Sequence, residues 1–269
     1  MKRVHLDENW PESWKASFRY DLEEVYGQIR NRGYAYAYDR RRRATFRLVT
    51  EVLPPGARIL DIAAAQGNFS IGLAEMGYEV TWNDMRSDLA GYVRLKREIG
   101  TIHFAPGNAF HLEPSQLFDG VLITEIIEHT AHPDQLLART AQLVRPGGYV
   151  IMTTPNGAYF RNKLPKFSDS LDPAVYESVQ FKPDTDGHIF LLHPEEVEPL
   201  AARAGLVLEK LILSTNPLTS GHMKTELALR RIPRPLVDGI ENLTGHLPAG
   251  LRRKLSSQIV ARFRRPEVG

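Results

Sequence analysis

Short apolar runs alternate with longer amphipathic stretches along most of the chain. Runs at 58–62, 78–82, 102–105, 120–124 and 148–154 have the length and branched-residue content of buried strands. Between them, 68–76, 86–98 and 133–144 carry apolar residues at helical spacing. Pro194-Glu195-Glu196 opens another helix, with proline at the first position and acids in the first turn, and 206–214 reads as a sixth strand. The pattern suits a seven-stranded type of sheet, with the seventh strand left open after Ser214. Strand-helix alternation of this kind predicts an α/β fold, a mostly parallel sheet with helices on both faces. Ahead of it, Trp10 to Val52 reads as helical: Phe18, Leu22, Val25, Tyr26 and Ile29 recur near a 3.6 period, and Pro54-Pro55-Gly56 closes the segment.

The pattern divides the chain into a helical cap over 1–53, a core over 54–220 and a C-terminal extension over 221–269. Within the core, 155–190 is irregular and reads as a substrate loop over the sheet's carboxyl edge. In the extension, Leu251, Leu255, Ile259 and Phe263 repeat every four residues with Val260 beside them, which predicts one amphipathic helix.

Charge sharpens that last reading. From Arg230 to Arg265 nine Lys/Arg face two Asp/Glu, a local +7 in a chain of net +2. A basic amphipathic helix suits an anionic membrane surface, a nucleic acid, or packing on its own domain. Arg40 to Arg43 form a second basic run, preceded by Tyr34, Tyr36 and Tyr38, which line a mouth or cap the core. There is no cysteine, so disulfides, thiolate metal sites and cysteine nucleophiles are excluded. The polar opening residues and the lack of any apolar run near ~20 residues give the expectation of a cytoplasmic protein, at most peripheral to a membrane.

The chemistry begins at Arg58-Ile59-Leu60-Asp61-Ile62-Ala63-Ala64-Ala65-Gln66-Gly67-Asn68. Asp61 closes a strand, and the tiny residues after it let a ligand approach the backbone. The next strand ends at Asp84, 17 residues after Gly67, where nucleotide-binding sheets place a ribose-binding acid. A dinucleotide site would need Gly-x-Gly-x-x-Gly, but those positions hold Ala63, Ala65 and Asn68. S-adenosylmethionine (SAM) carries no phosphate and needs only a shaped loop and the acids.

The turn resembles motif I of class I SAM-dependent methyltransferases, with Ala63 and Ala65 in place of two family glycines. Alanine resists positive φ, so the loop is expected to run slightly differently. The resemblance continues through Thr124-Glu125-Ile126-Ile127-Glu128-His129, Pro133, Pro146-Gly147-Gly148, Thr153-Thr154-Pro155-Asn156 and Asn216-Pro217-Leu218-Thr219, an order similar to ubiquinone-biosynthesis-type small-molecule O-methyltransferases. It spans roughly residues 55–220 and implies a Rossmann-like sheet. The cofactor set it implies is Asp61, Ala63, Ala65, Gly67, Asp84, Met85 under the adenine, Asn108 and Ala109 in place of the family's Gly-Asp-Ala, and Thr124. The implied reaction is methyl transfer to a hydroxyl of a small acceptor: a sugar, polyol, quinol or lipid-linked precursor. Methylation of an RNA end and a non-catalytic SAM-binding role are the alternatives.

Glu125, Glu128 and His129 sit at i, i+3 and i+4, and on a helix all three point one way. Two carboxylates and an imidazole suit Mg²⁺ or Mn²⁺. In small-RNA 2′-O-methyltransferases the same Glu-x-x-Glu-His supplies metal ligands and a later histidine completes the set; His188 stands at a similar spacing here. The competing reading keeps Glu128 as the orienting partner of His129, the general base.

Overall fold

The computed structural model describes residues 1–28, 30–180, 187–221 and 223–267. Ile29 of the first helical pattern and positions 181–186 of the predicted loop lie outside them.

Seven strands form one sheet: β1 Arg58–Ile62, β2 Glu79–Asn83, β3 Thr101–Phe104, β4 Phe118–Thr124, β5 Val144–Pro155, β6 Val207–Ser214 and β7 Gln258–Arg264. Their order is β3-β2-β1-β4-β5-β7-β6, with β7 antiparallel to both neighbours and the remaining pairs parallel. The order reverses at β1, so the crevice at the carboxyl ends of β1 and β4 is the place where such sheets take a ligand.

Side-chain alternation builds a core on each face. Leu60, Ile62, Val121, Ile123, Val150 and Met152 meet α5 Pro133–Leu143 and α6 Pro194–Arg203. Ile59, Val80, Trp82, Leu122 and Ile151 meet α3 Asn68–Glu75 and α4 Leu89–Lys96, together with Leu48 and Val49 of α2 Arg32–Thr50. The segment predicted as a cap is therefore two elements. α1 Glu12–Glu24 lies across α4, while the end of α2 packs on β5 and β7 as one of the sheet's own helices.

The C-terminal prediction fails in an instructive way. Helix α7 Glu226–Arg231, α8 Arg234–Gly245 and α9 Ala249–Leu255 do form, but α9 stops at Ser256 and the chain turns into β7. A spacing of four is also an even number, so Ile259 and Phe263 fit the two-residue period of a strand as well as a helix. Ile259, Val260, Ala261 and Phe263 are fully buried between β5 and β6, whereas Leu251 is exposed on α9. No single helix over 251–263 offers a face to a membrane, and 221–269 is no mere extension, since it supplies an inner strand of the core. Its charges are also paired: Arg262 with Glu51 and Glu209, Arg253 with Glu195, and Arg265 with the carbonyls of Ala141 and Val144. Among the described residues no helix is long and apolar enough to cross a membrane.

Candidate active site

A cleft of about 720 Å³ opens at the carboxyl ends of β1, β2 and β4. One end is built from backbone. After β1 the chain turns with φ of 55° at Ala63, 46° at Ala65 and 72° at Gly67, so both alanines adopt the left-handed geometry they were expected to resist. Three contacts hold them there: Ala64 N donates to Asn83 O, Trp82 Nε1 to Ala65 O, and Ala65 N to Asp84 Oδ2 at 2.8 Å. Gly67 has a second reason to be glycine, because a Cβ would stand 2.7 Å from Val93 Cγ2.

Of the residues expected to hold the cofactor, Ala63, Ala65, Asp84, Met85 and Thr124 line the cleft. Met85 is 64% exposed, an apolar shelf next to the buried Asp84. Asp61 lies beneath the turn, fully buried and accepting the Ser70 hydroxyl at 2.6 Å. Burial pushes its carboxyl up to about 7 against the opposing Ser70 bond, and the nearby Asp84 charge adds to the rise. Gly67 is the αL cap of α3 behind the turn. Asn108 is exposed and its Oδ1 accepts the Phe110 amide, while Ala109 is buried in the core; neither lines the cleft. Their turn still touches the site, because Gly107 N donates to Asp84 O.

Tyr38, one of the tyrosines read as lining a mouth or capping the core, lines the cleft; Tyr20, Glu24 and Arg41 of the two N-terminal helices, with Gln66, Asn68 and Arg86, were missed by sequence reasoning. Glu24 accepts Tyr34 OH, Gln66 Nε2 and Asn68 Nδ2, and burial raises its pKa. Below it, Asp21 accepts Asn68 Nδ2, Tyr92 OH and Lys96 Nζ, all at 2.7–2.8 Å and all buried. This polar cluster pins α1 to α3 and α4. Arg41 pairs with Glu125 at 3.0 Å, and its Nε is buried with no hydrogen-bond partner among the described residues. Its position in a run of four arginines hid it, since the run signals only charge.

The other end of the cleft is built from side chains. The strand β4 does not pass directly into a helix: Glu125 takes φ of 52°, Ile126 has φ of −129° and ψ of −32°, and only Ile127–His129 form a single 3₁₀ turn. The i, i+3, i+4 alignment therefore breaks. Glu125 turns to Arg41, the Thr153 hydroxyl and Gln258 Nε2, and it leaves the predicted metal set. Glu128, His129 and His188 do converge, with one ligand atom from each lying within 4.8 Å of the others. The two imidazole centroids are 4.7 Å apart, and His188 Nε2 is 3.9 Å from Glu128 Oε1. Glu128 Oε2 accepts the Thr154 hydroxyl, but its Oε1 is buried with no hydrogen-bond partner among the described residues. Burial holds the Glu128 carboxyl well above the usual carboxylate range, and the Glu125 charge adds to this. Ile189 N donates to Glu128 O, which carries His188 into place.

A family model described as a methyltransferase domain matches residues 34–211. The ubiquinone biosynthesis O-methyltransferase of Aromatoleum aromaticum is 32% identical over 169 residues, 61% of this chain and 70% of that one. That of Dechloromonas aromatica is 29% identical over 171 residues, covering 61% and 71%. Among solved structures, a putative sarcosine dimethylglycine methyltransferase from Galdieria sulphuraria superposes with a TM-score of 0.58 at 16% identity, covering 96% of this chain and 99% of that one. The N-methyltransferase NodS from Bradyrhizobium japonicum in complex with S-adenosyl-L-homocysteine gives 0.53 at 13% identity, with 96% and 100% covered. At such identities the structural likeness speaks to the fold alone.

Proposed function

Since this chain belongs to the methyltransferase-domain family and is a SAM-dependent methyltransferase, we propose that it methylates a hydroxyl of a small molecule, a catechol-type quinol precursor or another vicinal diol. The observation that carries this reading is the buried Oε1 of Glu128, which accepts no hydrogen bond among the described residues and has two imidazoles beside it, one of them, His129, lining the cleft. The names of the two relatives support the same acceptor class.

The cleft suits the cofactor at named atoms. Asp84 would accept the ribose hydroxyls, Met85 would lie against the adenine, and the orphaned Arg41 Nε would meet the methionine carboxylate, a charge-assisted pair. The methyl group then points toward Glu125–His129. His129 takes the acceptor's hydroxyl proton on its imidazole, the oxygen attacks the methyl carbon, and the carbon–sulfur electrons return to sulfur to leave a neutral thioether. Alignment of the two reactants supplies much of the rate. The donor set of Glu128, His129 and His188 also fits a divalent ion, for an incoming cation would favour the ionised Glu128 that burial disfavours. With two imidazoles and one carboxylate the set suits Mn²⁺, Fe²⁺ or Zn²⁺ better than Mg²⁺, and such an ion held there would supply Lewis acidity that makes the hydroxyl easier to deprotonate.

Methyl-labelled SAM incubated with a panel of quinols, catechols, polyols and amines tests this. Label should enter the vicinal diols, and His129→Ala should slow transfer by about 100-fold or more while SAM affinity stays within about twofold. Transfer to amines alone would overturn the reading. Chelation separates the two routes: a strong loss of activity indicates the ion, and full activity leaves His129 as the sole base.

A further inference from the structure

Asp84 is more heavily engaged than a waiting ribose site needs to be. Its Oδ1 accepts Arg86 N at 2.9 Å and Arg86 Nε at 3.0 Å, and its Oδ2 accepts Ala65 N at 2.8 Å and Arg86 Nη2 at 3.1 Å. A carboxylate has about four lone-pair sites, so these four donors account for all of them. Two of the donors are backbone amides fixed by the turn and by the end of β2. The other two belong to one guanidinium, laid on the carboxylate as a fork.

We propose that Arg86 competes with the cofactor's ribose for Asp84 and thereby sets how tightly the adenosyl group is held. The inference rests on the reading of Asp84 as the ribose acceptor. A vicinal diol brings two O–H donors, which match the two guanidinium N–H groups one for one, so the exchange leaves the carboxylate satisfied while the amides keep it in place. The asymmetry of burial allows the exchange: the Asp84 side chain is 5% exposed and that of Arg86 57%. Only the arginine has room to leave. Because the pair is open to solvent on one side it is weak, and its competition costs the cofactor a modest factor rather than blocking it. SAM and S-adenosylhomocysteine carry the same ribose. Arg86 thus loosens substrate and product alike, which favours turnover by easing product release.

Calorimetry on the full chain provides the test, with Arg86→Met to keep the stem and remove the donors. Affinity for both SAM and S-adenosylhomocysteine should rise by about threefold to fivefold. Arg86→Lys, with a single point charge, should fall between Met and wild type. The gap between wild type and Arg86→Met should narrow as NaCl goes from about 0.05 M to about 0.5 M, since salt screens the half-exposed pair; a merely structural role would not give that dependence. Unchanged or weaker binding by Arg86→Met overturns the competition. Asp84→Asn keeps the two failures apart. If it leaves SAM affinity intact, the ribose assignment itself is wrong; if it weakens binding while Arg86→Met fails to strengthen it, only the competition is wrong.

Discussion

The two ends of the cleft are built by different means. The cofactor end is a backbone object: Ala63 to Gly67 and the end of β2 are close in sequence, and main-chain bonds fix them to one another. The acceptor end is a side-chain object. It draws on 125–129, on Thr153 and Thr154 of β5, on His188 and on Gln258 at the start of β7, so no local stretch determines it. Glu125 and Glu128 show the difference within four residues. The first turns to Arg41 and Gln258, and the second is buried against Thr154 beside His188.

The strongest test of the cofactor end lies beneath it. Lys96 and Asp21 are fully buried and paired at 2.7 Å, and they tie α1 and its Glu24 to the helices that carry the turn. Lys96→Met should cost about 3–5 kcal/mol of stability, because Asp21 would remain as a buried uncompensated charge. Urea unfolding measures it, and Lys96→Met combined with Asp21→Leu should recover part of the loss. A cost below about 1 kcal/mol for the single change would mean that α1 is not anchored through this pair.

At the acceptor end the two glutamates separate. Glu128→Gln should slow methyl transfer by about 100-fold with SAM affinity unchanged, since it alters only the cluster proposed to meet the hydroxyl. Glu125→Gln keeps one oxygen, for Arg41 or for the Thr153 hydroxyl and Gln258, and Glu125 lies outside the Glu128–His129–His188 cluster, so its loss should stay below about tenfold. Equal losses in steady-state assays would return Glu125 to the reacting set and erase the distinction drawn here.

Asp84→Ala comes next, with an expected loss of roughly 2 kcal/mol or more in SAM binding. Its residue was legible in the sequence for a simple reason: a strand followed by an acid at fixed distance from Gly67 is a local signal, and the parallel register of β1 and β2 turns it into a position. The five leading strands and the helices between them were legible on the same ground. Arg41 and Glu24 were not, because their place depends on where two N-terminal helices land, and nothing near them in sequence records it. Strand β7 was misread because a four-residue repeat satisfies both periods, and only pairing with β5 and β6 decides between them. His188 was placed by resemblance and joins Glu128 and His129 in space; Glu125 was placed by helical spacing and fails, since that spacing presumed a helix its own positive φ forbids.

The smallest effect tests whether the cofactor end is a backbone object. Ala65 sits at φ of 46°, a conformation that costs an alanine about 1 kcal/mol and a glycine nothing. Ala64, beside it, has no positive φ. Ala65→Gly gains from relief of the left-handed strain and loses about 0.4–1 kcal/mol to the greater freedom of the unfolded chain. Ala64→Gly suffers the second effect with no relief. The two changes remove a methyl group from adjacent positions of one turn; Ala64 also packs against the core, which works in the same direction as the backbone difference. Thermal melts should place Ala65→Gly above Ala64→Gly by about 2–4 °C, the shift that ~1 kcal/mol gives in a chain of this size. If the two variants melt together, the turn is held by side-chain packing on Trp82 and Asp84, and the contrast between the two ends of the cleft loses its physical basis.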